Sequence, residues 1–227
     1  MESAEISAMI DHTFLKPAGE ADAVKKLCRE AKKYGFASVC VNPAEVPLAA
    51  KLLKKSTVKV CTVIGFPLGQ DSAYVKCFSA LDAVRMGAQE LDFVINQRLL
   101  KADPEACLDE LKLIVATCKD APNTLGKPVP LTKLIIECCN LTDNEKVLAC
   151  KLAKQAGFDF VKTSTGFASG GATVADVKLM RKTVGKKMGV KAAGGIHTRE
   201  EAEAMVKAGA TRLGCSAGVA IVQGKKK

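Results

Sequence analysis

Apolar, strand-like runs alternate with amphipathic helical runs along the whole chain, and this alternation restricts its fold more than any single motif. Strand-like runs cover residues 9–13, 39–42, 58–65, 90–96, 133–139, 159–164, 190–194 and 212–215. Between them, apolar residues recur at helical spacing over 20–34, 44–55, 72–86, 98–119, 143–156, 173–184, 199–208 and from about 216. Strands separated by helices are too far apart in sequence to pair as hairpins, so they pair in parallel through crossover helices. Eight strands and eight helices in 227 residues predict an α/β chain of the (β/α)8 TIM barrel type, a single domain over 1–227 with a short N-terminal extension. The first strand-to-helix turn lacks the Gly-x-Gly-x-x-Gly pattern of dinucleotide sites. A stretch from Pro122 to Pro130 with three prolines is expected as a loop before the fifth strand.

A faint repeat fixes the register. Helices end in Tyr34-Gly35-Phe36, Met86-Gly87-Ala88, Ala156-Gly157-Phe158 and Ala208-Gly209-Ala210, each glycine a candidate left-handed cap. Five residues beyond these glycines stand Cys40, Asp92, Lys162 and Gly214, on the second, fourth, sixth and eighth strands. Barrel interiors are filled in layers of four drawn from alternate strands, so these four are expected to share one inward-facing layer, with Lys191 of the seventh strand in an adjacent one.

Lys162 lies in Phe160-Val161-Lys162-Thr163-Ser164-Thr165-Gly166 and Lys191 in Gly189-Val190-Lys191-Ala192-Ala193-Gly194-Gly195. Most lysines snorkel to water. A lysine aimed into a strand core is costly unless paired or deprotonated, so two of them point to an amine nucleophile and a charged neighbour that favours its neutral form. An unperturbed lysine is neutral in only about one molecule per few thousand at pH 7. Once neutral, it can attack a carbonyl to form a Schiff base. Asp92 is the acid/base group at hand, acting through an ordered water, with a plain ion pair to a lysine as the alternative reading. The glycines after each lysine would let the backbone approach an anion.

The net charge of +10 could attract an anionic partner. Most of it lies on helix faces (Lys25, Lys26, Lys32, Lys33, Lys51, Lys54, Lys55) and in the Lys225-Lys226-Lys227 tail, without interleaved aromatics. That argues against a nucleic-acid partner. No apolar run reaches 18 residues and the acidic N-terminus has no apolar core behind it, so a chain without membrane contact, in the cytoplasm, is expected. Ten cysteines scattered through apolar runs read as reduced thiols. With no Cys-x-x-Cys pair, two histidines only, and Cys138 and Cys139 on opposite faces of a strand, no metal site is expected. Self-association is not legible, because apolar helix faces serve barrel packing and subunit contacts alike.

Five blocks carry a more specific signal: Ile10-Asp11-His12-Thr13-Phe14-Leu15-Lys16-Pro17, Cys61-Thr62-Val63-Ile64-Gly65-Phe66-Pro67-Leu68-Gly69, Glu90-Leu91-Asp92-Phe93-Val94-Ile95-Asn96, Val161 to Phe167, and Val190 to Ile196. In these blocks and their order the chain resembles the 2-deoxyribose-5-phosphate aldolases, class I enzymes of the TIM-barrel type, over essentially its whole length. The resemblance implies that Lys162 is the Schiff-base lysine, Lys191 the lysine that perturbs it and Asp92 the proton-relay carboxylate. It implies that Asp11, Thr13, Cys40, Thr163 and Ser164 lie beside a small sugar-phosphate substrate, and that no metal or organic cofactor takes part. Backbone groups at Gly166, Gly194, Gly195, Gly214, Cys215 and Ser216 would hold the phosphate. The implied reaction is reversible cleavage of 2-deoxy-D-ribose 5-phosphate to acetaldehyde and D-glyceraldehyde 3-phosphate.

The chain departs from that pattern at three places. His197 stands where an arginine is common, Ala217 where a serine is common, and Cys138 follows Glu137 where a threonine is common, at a position expected near the pocket mouth. A lysine aldolase for another sugar phosphate and a catalytically silent binding barrel are the rival readings.

Overall fold

The structure, a computed structural model, describes residues 1–20 and 22–224; the Lys225-Lys226-Lys227 tail lies outside the described residues. Eight strands, β1 (Ile10–Phe14), β2 (Ser38–Val41), β3 (Lys59–Ile64), β4 (Glu90–Val94), β5 (Leu131–Ile135), β6 (Phe160–Lys162), β7 (Gly189–Ala193) and β8 (Arg212–Cys215), pair in parallel in sequence order and close β8 onto β1. The expected (β/α)8 barrel is the fold. Among the described residues no helix is long and apolar enough to cross a membrane.

The outer layer follows from the helical spacing. In chain order its helices are α1 (Ser3–Ser7), α2 (Ala23–Tyr34), α3 (Val46–Leu53), α4 (Ala73–Met86), α5 (Gln97–Ala102), α6 (Pro104–Lys119), α7 (Ala121–Leu125), α8 (Asp143–Ala156), α9 (Val174–Val184), α10 (Arg199–Ala208) and α11 (Gly218–Gln223). The repeat glycines Gly35, Gly87, Gly157 and Gly209 each close a helix in the left-handed conformation. The hydrocarbon core lies between strands and helices, where outward residues such as Phe93, Leu134, Val161 and Leu213 meet Leu111, Ala153 and Met180. Apolar burial of this outer shell is the main driving force of folding, which leaves the barrel interior free to carry polar groups.

Beyond shifts of two or three residues at element ends, three stretches differ from the sequence reading. The run 98–119 is two helices, because Asp103 caps α6 by accepting from the Ala106 amide and Pro104 takes its first position. The expected loop from Pro122 to Pro130 begins as α7, with Pro122 in its first turn, where a missing N–H costs nothing. The fifth strand ends at Ile135 instead of Cys139. Glu137 has φ 56, the one non-glycine residue in the left-handed region among the described residues, and it turns Cys138–Asn140 into a 3-10 helix. Cys138 and Cys139 are therefore not on opposite faces of a strand.

Candidate active site

Parallel register and period-two alternation fill the interior in layers. Asp92 is in register with Lys133, Ile135 with Lys162, Lys162 with Lys191, and Asp11 with Gly214. Cys40, Asp92, Lys162 and Gly214 come from even strands and Asp11, Cys61, Lys133 and Lys191 from odd ones, the staircase expected of a tilted barrel. Gly214 has a steric reason to be glycine. An added Cβ would lie 2.9 Å from Lys191 Cε, so the lysine stem occupies the space a side chain there would fill.

Asp92 is the hub of this interior. Its Oδ2 accepts from Lys162 Nζ and from Lys191 Nζ, both at 2.8 Å, and its Oδ1 accepts from Lys133 Nζ at 2.8 Å. The contact with Lys162 is direct, and the ion-pair and functional readings of Asp92 describe one geometry. Lys191 Nζ also lies 2.5 Å from Asp11 Oδ2, and Asp11 Oδ1 accepts from Ser38 Oγ at 2.6 Å and from Arg212 Nη1 at 2.7 Å. Arg212 reaches Glu90, which faces Lys133 at 2.8 Å.

These contacts decide the charges. Burial pushes the Asp92 carboxyl upward, but Lys133, Lys162 and Lys191 outweigh it and hold the group well below the usual carboxylate range. Asp11 behaves likewise, with Lys191, Lys133 and Arg212 overcoming burial. Burial alone would lower Lys133, Lys191 and Arg212, yet their carboxylate partners hold all three above their ordinary values. Lys191 is thus a fixed cation, neutralised by Asp11 and Asp92.

Of the three lysines inside the barrel, Lys162 alone lines the cavity at its mouth among the described residues. Its side chain keeps 4% exposure, against 0% for Lys133 and Lys191. The cavity, about 360 Å³ at the C-terminal end of the strands, is lined by Lys162 with Thr13, Thr165 and the mouth loops. All six residues expected at the phosphate, Gly166, Gly194, Gly195, Gly214, Cys215 and Ser216, line it, as do Lys16 and His197. Gly166, Gly194 and Gly195 all have positive φ. At Gly194 a Cβ would also come within 3.1 Å of the Gly171 backbone, so two loops touch there.

Several residues expected beside the substrate do not line this cavity. Thr163 is fully buried outside the cavity lining and its hydroxyl bonds the Ala193 backbone of β7. Ser164 is fully buried too, with its hydroxyl unpartnered. Asp11 and Cys40 sit in the barrel interior and do not line the cavity. Cys138 is not at the mouth: its Sγ packs against Met180 Sδ of α9.

The sequence reading missed Lys133, Glu90, Arg212, Cys61 and Glu137. Lys133 carried the same signal as the two recognised lysines, a cation in an apolar strand. Glu137 accepts from the Thr165 amide and hydroxyl and so anchors the loop that follows Lys162. The ligand atoms of Cys40, Cys61 and Asp92 lie within 4.8 Å of one another, a spacing that could hold a metal. However, Lys133 Nζ lies 3.4 Å from Cys61 Sγ, and ammonium groups occupy both Asp92 oxygens, so a divalent cation would meet three like charges.

Residues 6–224 match the model of the DeoC/LacD family aldolases. The chain is 56% identical over 226 residues to a deoxyribose-phosphate aldolase of Clostridium perfringens, covering 99% of this chain and 97% of that one. It is 55% identical to the enzyme of that name from Carboxydothermus hydrogenoformans, covering 99% and 96%. Among solved structures it superposes on the tetrameric deoxyribose phosphate aldolase of Aeropyrum pernix with a TM-score of 0.89 at 34% identity, covering 98% of this chain and 91% of that one.

Proposed function

The chain belongs to the DeoC/LacD family of aldolases, and from that membership we propose that it reversibly cleaves 2-deoxy-D-ribose 5-phosphate to acetaldehyde and D-glyceraldehyde 3-phosphate. The observation that carries the mechanism is that Lys162 is the buried lysine open to the cavity, with Asp92 Oδ2 against its nitrogen. The neutral Lys162 amine attacks the C1 aldehyde of the open-chain sugar, and loss of water gives a protonated Schiff base. The C3 hydroxyl then gives up its proton, the C2–C3 bond breaks, and its electron pair flows into the iminium to leave an enamine on Lys162. Glyceraldehyde 3-phosphate departs first. Protonation of the enamine at C2 and hydrolysis release acetaldehyde and regenerate the amine.

Asp92 stands as a resident anion beside the iminium, which favours the charged intermediate in a site largely closed to water. Its depressed proton affinity makes it a poor base alone. Flanked by Lys162 and by Lys191, which keeps its own proton, it instead acts through cavity water that takes the proton of the C3 hydroxyl and returns one to C2 of the enamine. The glycine loops at 166, 194–195 and 214–216 supply backbone N–H groups to the phosphate. We read 1–227 as one aldolase domain that works in the cytoplasm, where its ten free thiols stay reduced, and that self-associates as the Aeropyrum relative does.

Incubation with acetaldehyde and borohydride, followed by peptide mapping, tests the reading. A stable mass gain at Lys162 is expected, and an adduct at Lys191 would reverse the assignment.

A further inference from the structure

Six charged side chains inside the barrel close on themselves. Arg212 meets Asp11 at 2.7 Å, Asp11 meets Lys191 at 2.5 Å and Lys191 meets Asp92 at 2.8 Å. Asp92 meets Lys133 at 2.8 Å, Lys133 meets Glu90 at 2.8 Å, and Glu90 returns to Arg212 at 3.1 Å. Signs alternate at every step. Three cations face three anions, and none of the six side chains is more than 12% exposed. Lys162 joins from above, sharing an Asp92 oxygen that Lys191 already uses.

The ring is electrically neutral by itself. An ammonium on Lys162 leaves the buried cluster one positive charge in excess, and a neutral amine leaves it balanced. Excess charge in a poorly solvated interior is penalised, and Lys162 is the member of the cluster that lines the cavity, so the net charge of the ring bears on the amine there. The local picture of Lys191 repelling Lys162 is incomplete, because Asp11 and Asp92 already neutralise Lys191.

We propose that Glu90 and Arg212, at the end of the barrel opposite the cavity, are positioning residues that set the charge state of Lys162 by fixing the net charge of the ring beneath it. The proposal rests on the reading of Lys162 as the Schiff-base nucleophile. Neither residue touches the substrate cavity.

The titratable and charged groups that the strands place in the same barrel interior as Lys162 are Asp11 from β1, Cys40 from β2, Cys61 from β3, Glu90 and Asp92 from β4, Lys133 from β5, Lys191 from β7 and Arg212 from β8, with Glu137 under the loop after Lys162 and Lys16 and His197 lining the cavity. Cys40 needs a control. Its hydrogen bond with Cys61 holds the thiol below its ordinary value, and a thiolate there would cancel the excess charge. At a separation on the order of 10 Å and an effective dielectric of about 20, one charge is worth about one pH unit.

The experiment follows the rate of Lys162 modification by acetaldehyde and sodium cyanoborohydride against pH, on the full chain, read by mass spectrometry. Arg212→Met removes one cation and should raise the midpoint by about one unit; Glu90→Gln removes one anion and should lower it by about as much. Arg212→Lys keeps the charge, and the Glu90→Gln/Arg212→Met double variant restores the balance; both should return the wild-type midpoint. Opposite shifts cancelling in the double variant cannot come from lost packing alone. Reduced modification at an unchanged midpoint in the single variants would overturn the proposal, as would shifts that vanish in a Cys40→Ala background. Should Glu90→Gln fail to fold, Arg212→Met against the double variant still decides it, since equal midpoints there would sink the idea. Absence of a Lys162 adduct in the wild type would refute the Schiff-base reading instead.

Discussion

Lys191 runs across the position where Gly214 has no side chain, and its nitrogen is pinned beyond that point between Asp11 and Asp92. A Cβ on residue 214 would press on Lys191 Cε at 2.9 Å and on Ala193 Cβ at 3.0 Å. The stem cannot move aside without breaking a 2.5 or 2.8 Å contact. Gly214→Ala should therefore lower kcat for deoxyribose 5-phosphate cleavage on the order of 10²-fold through misplaced charge, at a stability cost of about 1–3 kcal/mol. Steady-state kinetics beside a denaturant titration check this, and wild-type kcat would contradict it.

The depressed carboxylates tie stability to acid pH. Asp11 and Asp92 bind protons less readily folded than unfolded, so the stability they confer is present above the unfolded carboxylate value, near 4, and is lost as pH falls toward their lower folded values. Urea midpoints taken from pH 7 to pH 3 should fall steeply below about pH 4 in the wild type. Asp92→Asn should be less stable at pH 7 by about 3–5 kcal/mol, having left three buried cations short of a partner, and should show a shallower acid slope.

At the mouth, backbone shape should matter more than the exposed imidazole. Gly194→Ala places an L side chain at φ 84 and 3.1 Å from the Gly171 backbone, so KM for deoxyribose 5-phosphate should rise at least about tenfold, with little change for unphosphorylated deoxyribose. His197→Ala should raise it no more than about threefold, since among the described residues no side-chain bond holds that exposed ring. Equal losses for both sugars would remove the phosphate from this cavity.

Glu137→Gln tests the anchor of the loop after Lys162. Both carboxylate oxygens lie 3.2 Å from the Thr165 amide and one also takes the Thr165 hydroxyl, a charge-assisted arrangement that an amide reproduces only in part. KM should rise about three- to tenfold, with Lys162 trapping intact and a stability loss of about 1–2 kcal/mol. Loss of trapping would mean that the loop positions the nucleophile itself.

The fold was legible in the alternation of strands and helices, and the inward layer because four helices end in glycine at a fixed distance from an inward residue, which located Cys40, Asp92, Lys162 and Gly214 together. That device fails for Lys133. Position 128 is Pro128, and the short α7 shifts the approach to β5. Glu90 and Arg212 begin their strands, where polar residues read as solvent-facing edges, and β3 carries apolar residues on both faces, which hides the period that would turn Cys61 inward. The turn at Glu137 left no mark, since a left-handed glutamate looks like any other in a sequence. Thr163 and Ser164 were assigned by likeness to a motif, whereas side-chain direction decides who meets a ligand.

Asp11 and Arg212, which bind each other, are 201 positions apart, and the remaining members of the ring are spread over β4, β5 and β7. No contiguous stretch of the chain holds the ring, and it cannot exist before β8 docks beside β1. A nascent chain that has formed seven strands leaves Asp11 without its guanidinium and Glu90 with a single partner. Chemical competence should therefore arrive in one step, with the last strand, so that partly synthesised or clipped chains release no enamine chemistry into their surroundings.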